Sequence, residues 1–254
     1  MDLGLSGRKA LVTGASRGIG LACARALAAE GCDLALAARD VRRLKDAVKG
    51  IRTDYRVGVT SHATDLSVDH RRRALIDVVG EVDILVNNAG AIPSGDLAAI
   101  DDDAWREAWE LKVFGYIDLT RMMLPEMVAR GGGVIINVIG AAAIRPSPGY
   151  ITGASGNAAL VGFTRALGQQ SVADGVRVVA VNPGLILTDR MEDMLRAAAE
   201  ERFGNPERWD DLVPTDPEPG TPEQVADVVA FLASDRASHI SATAITVDGG
   251  ANGW

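Results

Sequence analysis

Thr13-Gly14-Ala15-Ser16-Arg17-Gly18-Ile19-Gly20 lies between the apolar run Ala10-Leu11-Val12 and a helix-patterned segment over residues 21–30. Glycines at 14, 18 and 20 permit a tight turn and a close approach of bare backbone to a pyrophosphate. The helix that follows adds an amide-rich N-terminus, which attracts negative charge. Strand, glycine turn and helix in that order therefore point to a bound dinucleotide, whereas the glycines alone would be no more than a turn signal.

The rest of the first half repeats the rhythm. Short strand-like runs at 9–13, 33–37, 57–63 and 82–86 alternate with helical patterns at 21–30, 40–50 and 67–79. Such alternation gives a parallel sheet covered by helices on both faces, and right-handed crossovers make it doubly wound. Further strands are expected at 134–138, before Pro183-Gly184, and at 244–247, making a mostly seven-stranded α/β sheet of Rossmann type. Long helical patterns cover 101–130, interrupted near Pro125, and 155–172; another covers 222–233.

Composition narrows the class. The 254 residues suffice for one large core, so 1–254 is read as a single domain. A formal net charge of -8 opposes a nucleic-acid surface. Arg71-Arg72-Arg73 is balanced by Asp65, Asp69 and Asp77 and is read as a solvated helix face. Cys23 and Cys32 read as small core thiols, and His62, His70 and His239 lack metal-ligand spacing. No apolar run approaches the ~18 residues of a membrane span, and no charged leader precedes an apolar stretch, so a soluble cytoplasmic protein without a membrane partner is expected.

The end of the second strand bears on the nucleotide. An acid there would bind a ribose hydroxyl, whereas a 2'-phosphate requires a cation. Here the chain reads Ala37-Ala38-Arg39, with Arg17 available from the glycine loop, so NADP(H) is favoured over NAD(H).

Several marks now combine: residues 13–20, Asp65-Leu66 after the third strand, Asn87-Asn88-Ala89-Gly90 after the fourth, Asn182-Pro183-Gly184 with Thr188, and Val247-Asp248-Gly249-Gly250. Together they resemble the short-chain dehydrogenase/reductase family, nearly end to end. The resemblance implies that Gly14, Ser16, Arg17, Gly18, Ile19 and Gly20 cradle the cofactor. Asp65 and Leu66 would frame its adenine, Asn88, Ala89 and Gly90 the ribose and pyrophosphate, and Pro183, Gly184 and Thr188 the nicotinamide. It also implies a homodimer or homotetramer assembled through the two long helices, with Trp254 as a terminal aromatic for a neighbouring subunit.

The same resemblance implies a tetrad of Asn, Ser and Tyr-x-x-x-Lys, in which an ammonium lowers the phenol pKa for proton exchange. Aligning on Ala158-Ala159-Leu160-Val161-Gly162-Phe163 puts Gly140 at the Ser position, Gly153 at the Tyr position, Asn157 at the Lys position and Lys112 at the Asn position. Tyr150 lies about one helical turn before Gly153, although Pro146 and Pro148 argue against a helix starting that early. Lys112, Tyr150 and Asn157 are thus the candidate catalytic groups, Lys112 either facing solvent or supplying a cation to the pocket. Residues 185–220 exceed an ordinary connection and read as a substrate lid, with Met191, Met194, Leu195, Phe203 and Trp209 as anchors for a hydrophobic small molecule. The expected activity is an NADP(H)-dependent oxidoreductase acting on a carbonyl or alcohol. The alternatives are a redox-inactive NADP(H) sensor or partner subunit, and a non-redox reaction with Lys112 as base.

Overall fold

Seven short runs become strands: β1 (Lys9–Thr13), β2 (Asp33–Ala38), β3 (Val59–Ala63), β4 (Ile84–Asn87), β5 (Gly133–Val138), β6 (Val176–Pro183) and β7 (Ala244–Val247). All pair in parallel, in the order β3-β2-β1-β4-β5-β6-β7. The computed structural model describes residues 2–251, so Trp254 lies outside the described residues. The helices are α1 (Gly18–Ala29), α2 (Val41–Asp54), α3 (Asp69–Val79), α4 (Asp102–Trp109), α5 (Gly115–Ala129), α6 (Ile151–Ser171), α7 (Asp189–Phe203) and α8 (Pro222–Ala233). Among the described residues no helix is long and apolar enough to cross a membrane.

Side-chain alternation divides the strands between two cores. Ala10, Val12, Leu34 and Leu36 pack with Leu27 of α1, Leu44 and Ile51 of α2, and Val229 of α8. Leu11, Ala35, Leu85 and Ile135 face the other way, onto Leu75 of α3 and Leu119, Met123 and Met127 of α5. Each fully buried Leu or Ile contributes about 1.5–3 kcal/mol of transfer free energy, and a one-residue slip of register would send these side chains to the wrong face. The order reverses between β1 and β4, and such a reversal opens a crevice at the carboxyl ends of the strands.

Several elements depart from the expected boundaries. α1 begins at Gly18, not residue 21, so the glycine turn feeds directly into it. The long helix over 101–130 is not interrupted at Pro125, which lies inside α5. The missing Pro N–H forfeits one backbone bond, but Leu119, Met123 and Met127 bury an apolar stripe that keeps the helix running. The interruption falls earlier, at a π-helical turn over Glu110–Phe114.

α6 starts at Ile151 rather than near 155, because Pro146 and Pro148 sit in the loop ahead of it and leave Tyr150 as the residue flanking its first turn. The run 71–73 is not a uniformly solvated face. Arg72 is 1% exposed and donates to Leu66 O (2.9 Å), Glu110 Oε1 (2.7 Å) and Asp118 Oδ2 (2.8 Å). Balanced charge in the sequence conceals that these carboxylates come from the neighbouring helix, which can bury a guanidinium that it pairs. Cys23 and Cys32 are buried and free.

Candidate active site

The glycine loop is tied to the end of β4 across the reversal. The Thr13 hydroxyl accepts from the amides of Asn88 (2.9 Å) and Ala89 (3.1 Å), and Asn88 Nδ2 donates to Thr13 O (2.9 Å). Gly14 has φ +67°, and a Cβ there would lie 2.8 Å from Asn88 Nδ2 and 3.0 Å from Ala89 Cα. Only glycine allows the strand end, the Asn88-Ala89 backbone and the start of α1 to converge so closely. The backbone at the N-terminus of α1 is left bare, which fits a dinucleotide pyrophosphate.

A cavity of about 480 Å³ opens over this loop. Of the expected cofactor residues, Gly14, Ser16, Arg17, Gly18, Ile19, Gly20, Arg39, Leu66, Asn88, Ala89, Gly90, Pro183, Gly184 and Thr188 line it. Asp65 does not; its Oδ1 accepts from Ser67 N (3.0 Å) and Ser67 Oγ (2.7 Å). Burial pushes its carboxyl up, the Ser67 bonds pull it down, and the net position is below the ordinary value.

Three arginines line the cavity: Arg17 from the glycine loop, Arg39 just after β2 and Arg43 from the first turn of α2. Arg43 is drawn toward Asp40, which caps α2 by accepting from Arg43 N at 2.9 Å. Arg17 and Arg39 form no ion pair among the described residues, which fits a 2'-phosphate.

Lys112 projects from the π-helical turn into the cavity rather than to solvent. Such turns shift side-chain register and occur often at functional sites. Its Nζ donates to Ile139 O at 2.6 Å, and its stem packs against Gly90. Burial, reinforced by the positive charge of Arg190, pulls the amine down to about 7 from its ordinary 10.5.

Tyr150 also lines the cavity, and its ring lies against Gly153. A Cβ on Gly153 would collide with Cε1 and Cζ of Tyr150 and come within 2.7 Å of Cδ1. The phenol therefore occupies the space that a side chain at 153 would enter, supplied from one helical turn earlier. Burial raises its pKa, with Arg190 opposing.

Asn157 is buried but does not line the cavity; its Nδ2 reaches Gly140 O at 3.5 Å and its Oδ1 has no partner. Gly140 does line it, with φ +139°.

Among the lining residues that the sequence did not single out are Arg43, Ile92, Ile139 and Arg190. Arg190 Nη1 donates to Gly90 O (3.1 Å) and Nη2 to Ile92 O, bridging α7 to the loop after β4. One signal was available. Arg190 stands in the first turn of α7, where the helix dipole disfavours a cation, and such local contradictions cluster at functional positions.

The 185–220 segment is closed at its neck by Leu187 N to Gly220 O and Gly220 N to Leu185 O, both 2.9 Å. Of its expected apolar anchors, Met191 lines the cavity. Phe203 and Trp209 instead lie under arginines, Phe203 under Arg208 at 4.1 Å and Trp209 under Arg196 at 5.6 Å.

The sequence profile of the short chain dehydrogenase family matches residues 8–199. Galactitol 2-dehydrogenase (L-tagatose-forming) of Cereibacter sphaeroides is 34% identical over 253 residues, covering 98% of this chain and 97% of its own length. L-Sorbose reductase from Gluconobacter frateurii, complexed with NADPH and L-sorbose, superimposes with a TM-score of 0.92 at 34% identity over 98% of both chains. A 3-oxoacyl (acyl-carrier-protein) reductase from Agrobacterium tumefaciens with NADP bound does so with a TM-score of 0.87 at 30% identity, over 98% of this chain and 95% of its own.

Proposed function

Because the chain belongs to the short-chain dehydrogenase family and is an oxidoreductase of that type, we propose that it uses NADP(H) to interconvert a carbonyl and an alcohol, with Tyr150 and Lys112 handling the proton. The observation that carries this reading is the ring of Tyr150 against Gly153, in the same cavity as a buried Lys112. A phenol and an ammonium are the groups that the family tetrad is expected to bring together, and here they come from different positions in the chain.

NADP(H) rather than NAD(H) is supported by the unpaired Arg17 and Arg39 and by the NADPH- and NADP-bound relatives. The bound nucleotide would supply or accept the hydride. In the reductive direction, the Tyr150 hydroxyl gives its proton to the carbonyl oxygen; burial keeps that phenol protonated at neutral pH. Lys112 is the second proton source in the cavity, and its amine titrates near neutrality. Asn157 braces Gly140 at the cavity wall and is a positioning residue. Ile92, Ile139 and Met191 provide apolar surface for the substrate, beneath a lid formed by residues 185–220. An exposed Phe114, at 47%, beside the two long helices supports assembly into a homo-oligomer, which light scattering would measure.

The test is a titration with NADPH and NADH followed by NADPH oxidation against ketones, aldehydes and quinones. NADPH binding with turnover that collapses in Tyr150→Phe is the expected result. Failure to bind either nucleotide, or binding without turnover on any carbonyl, would overturn the reading.

A further inference from the structure

Two cations meet around one glycine, Gly90, just beyond the Ala89 backbone that packs against the glycine loop. Lys112 Cδ lies 3.2 Å from where a Cβ on Gly90 would stand, and Arg190 Nη1 is 3.1 Å from Gly90 O. Both side chains line the cavity. Their present partners are neutral carbonyls: Ile139 for Lys112, Gly90 and Ile92 for Arg190.

Asp40 and Asp189 also line the cavity, but among the described residues neither forms an ion pair with Lys112 or Arg190. Glu192, in the same helical turn as Arg190, is committed to Arg196 at 2.9 Å. The bare backbone at the N-terminus of α1 already offers donors for a dinucleotide pyrophosphate, and Arg17 and Arg39 offer charge for a 2'-phosphate, so both nucleotide anions have partners besides these two cations. Two unneutralised cations sharing a partly dry cavity repel each other, and an anion placed between them removes that repulsion while forming charge-assisted hydrogen bonds. Arg190 keeps three of its five N–H donors for such a ligand, and both cations line the same cavity as Tyr150.

We propose that Arg190, with Lys112 as the second positive charge, binds a carboxylate on the substrate, so that the physiological substrate is an oxo acid or hydroxy acid with an apolar body. The inference rests on the reading of this cavity as an oxidoreductase site. Arg190 fixes the carboxylate, Ile92, Ile139 and Met191 contact the apolar body, and the reacting oxygen faces Tyr150. The depressed pKa of Lys112 agrees, because the field of Arg190 that contributes to it is the field a bound anion would cancel.

The experiment compares acetoacetate, levulinate and phenylpyruvate with their methyl esters, by calorimetric binding to protein saturated with NADP+ and by NADPH oxidation. The expected result is that at least one acid binds about 10- to 100-fold more tightly than its ester. Arg190→Met should reduce that ratio to about unity, and Arg190→Lys should restore part of it, with NADPH affinity unchanged in both. Equal binding of acids and esters, or no binding of any acid, overturns the proposal. So does an Arg190→Met protein that loses NADPH affinity yet keeps its acid preference, since Arg190 would then serve the nucleotide. Carboxylate binding with no reduction of any acid, ketone, aldehyde or quinone supports the anion site while refuting the proposed carbonyl chemistry, so the two claims fail separately.

Discussion

The ring of Tyr150 fills the volume that any side chain on Gly153 would need. The glycine is thus a requirement of the tyrosine, and the two positions form one unit spread over the first turn of α6. Removing a positioned proton donor costs about 10²- to 10⁴-fold, so Tyr150→Phe should lower kcat by that factor at unchanged NADPH affinity. Gly153→Ala should displace the ring, lower kcat similarly and cost about 1–3 kcal/mol of stability by overpacking. The double variant should be no slower than Tyr150→Phe alone, because both changes remove the same group. Wild-type kcat in Tyr150→Phe would refute the assignment.

Lys112 gives the site a pH signature. Its amine falls to about 7 through burial and the charge of Arg190, whereas burial raises both Tyr150 and Tyr116. The only neutral-range limb among these groups therefore belongs to Lys112. With saturating NADPH, kcat/KM for carbonyl reduction should fall as pH rises through about 7, and alcohol oxidation should rise over the same range. Lys112→Met should flatten both limbs.

The same amine has a consequence for stability. Between about 7 and 10.5 the unfolded chain holds a proton that the native Lys112 has lost, so stability rises with pH there. Below about 7 both states are protonated and the burial penalty is present in full. Lys112→Met should therefore raise Tm most below pH 7, with an advantage that shrinks toward pH 10.5. Thermal melts from pH 6 to 10 would check it; a pH-independent difference would contradict the buried, titrating amine.

The strands, their parallel order and the glycine loop are legible in the sequence because alternation and turn chemistry are local. The cofactor cleft follows from them, since Thr13, Asn88 and Gly184 stand at strand ends whatever the helices do. The catalytic end is not local. Lys112 faces inward because a π turn shifts its register, and the apolar pattern over 101–130 hides that turn. Tyr150 reaches the site only because α6 begins at Ile151 and Gly153 leaves room. Arg72 and Arg190 are defined by partners that tertiary contact alone supplies: Glu110 and Asp118 for one, the Gly90 and Ile92 carbonyls for the other.

Arg72 joins α3 to the helix that carries Lys112. Its Nη2 contacts both Glu110, the first residue of the π turn, and Asp118 of α5, while its own side chain is buried. Removing one member of a buried ion pair typically costs about 3–5 kcal/mol, and the partial exposure of Glu110 places Arg72→Leu near the lower end. Denaturant titration should show that loss, together with reduced kcat as the π turn loosens. A change below about 0.5 kcal/mol, the range of an ordinary surface substitution, would mean that the network is dispensable.

Cofactor preference should reside in two guanidiniums. Arg17 flanks α1 in an extended conformation with φ -164°, Arg39 follows β2, and both line the cavity. Arg43, the third cation there, is held by Asp40 and contributes less. A phosphate bound by two arginines loses charge-assisted bonds when either is removed, so Arg39→Ala should weaken NADPH binding about 10- to 100-fold and leave NADH nearly unchanged. Arg39→Asp should go further, because the carboxylate repels a 2'-phosphate and accepts from a ribose hydroxyl. It should therefore improve NADH binding while abolishing the preference for NADPH. Fluorescence titration of both nucleotides against both variants decides the matter: equal losses for NADH and NADPH would show that Arg39 supports the fold of the cleft and does not read the phosphate.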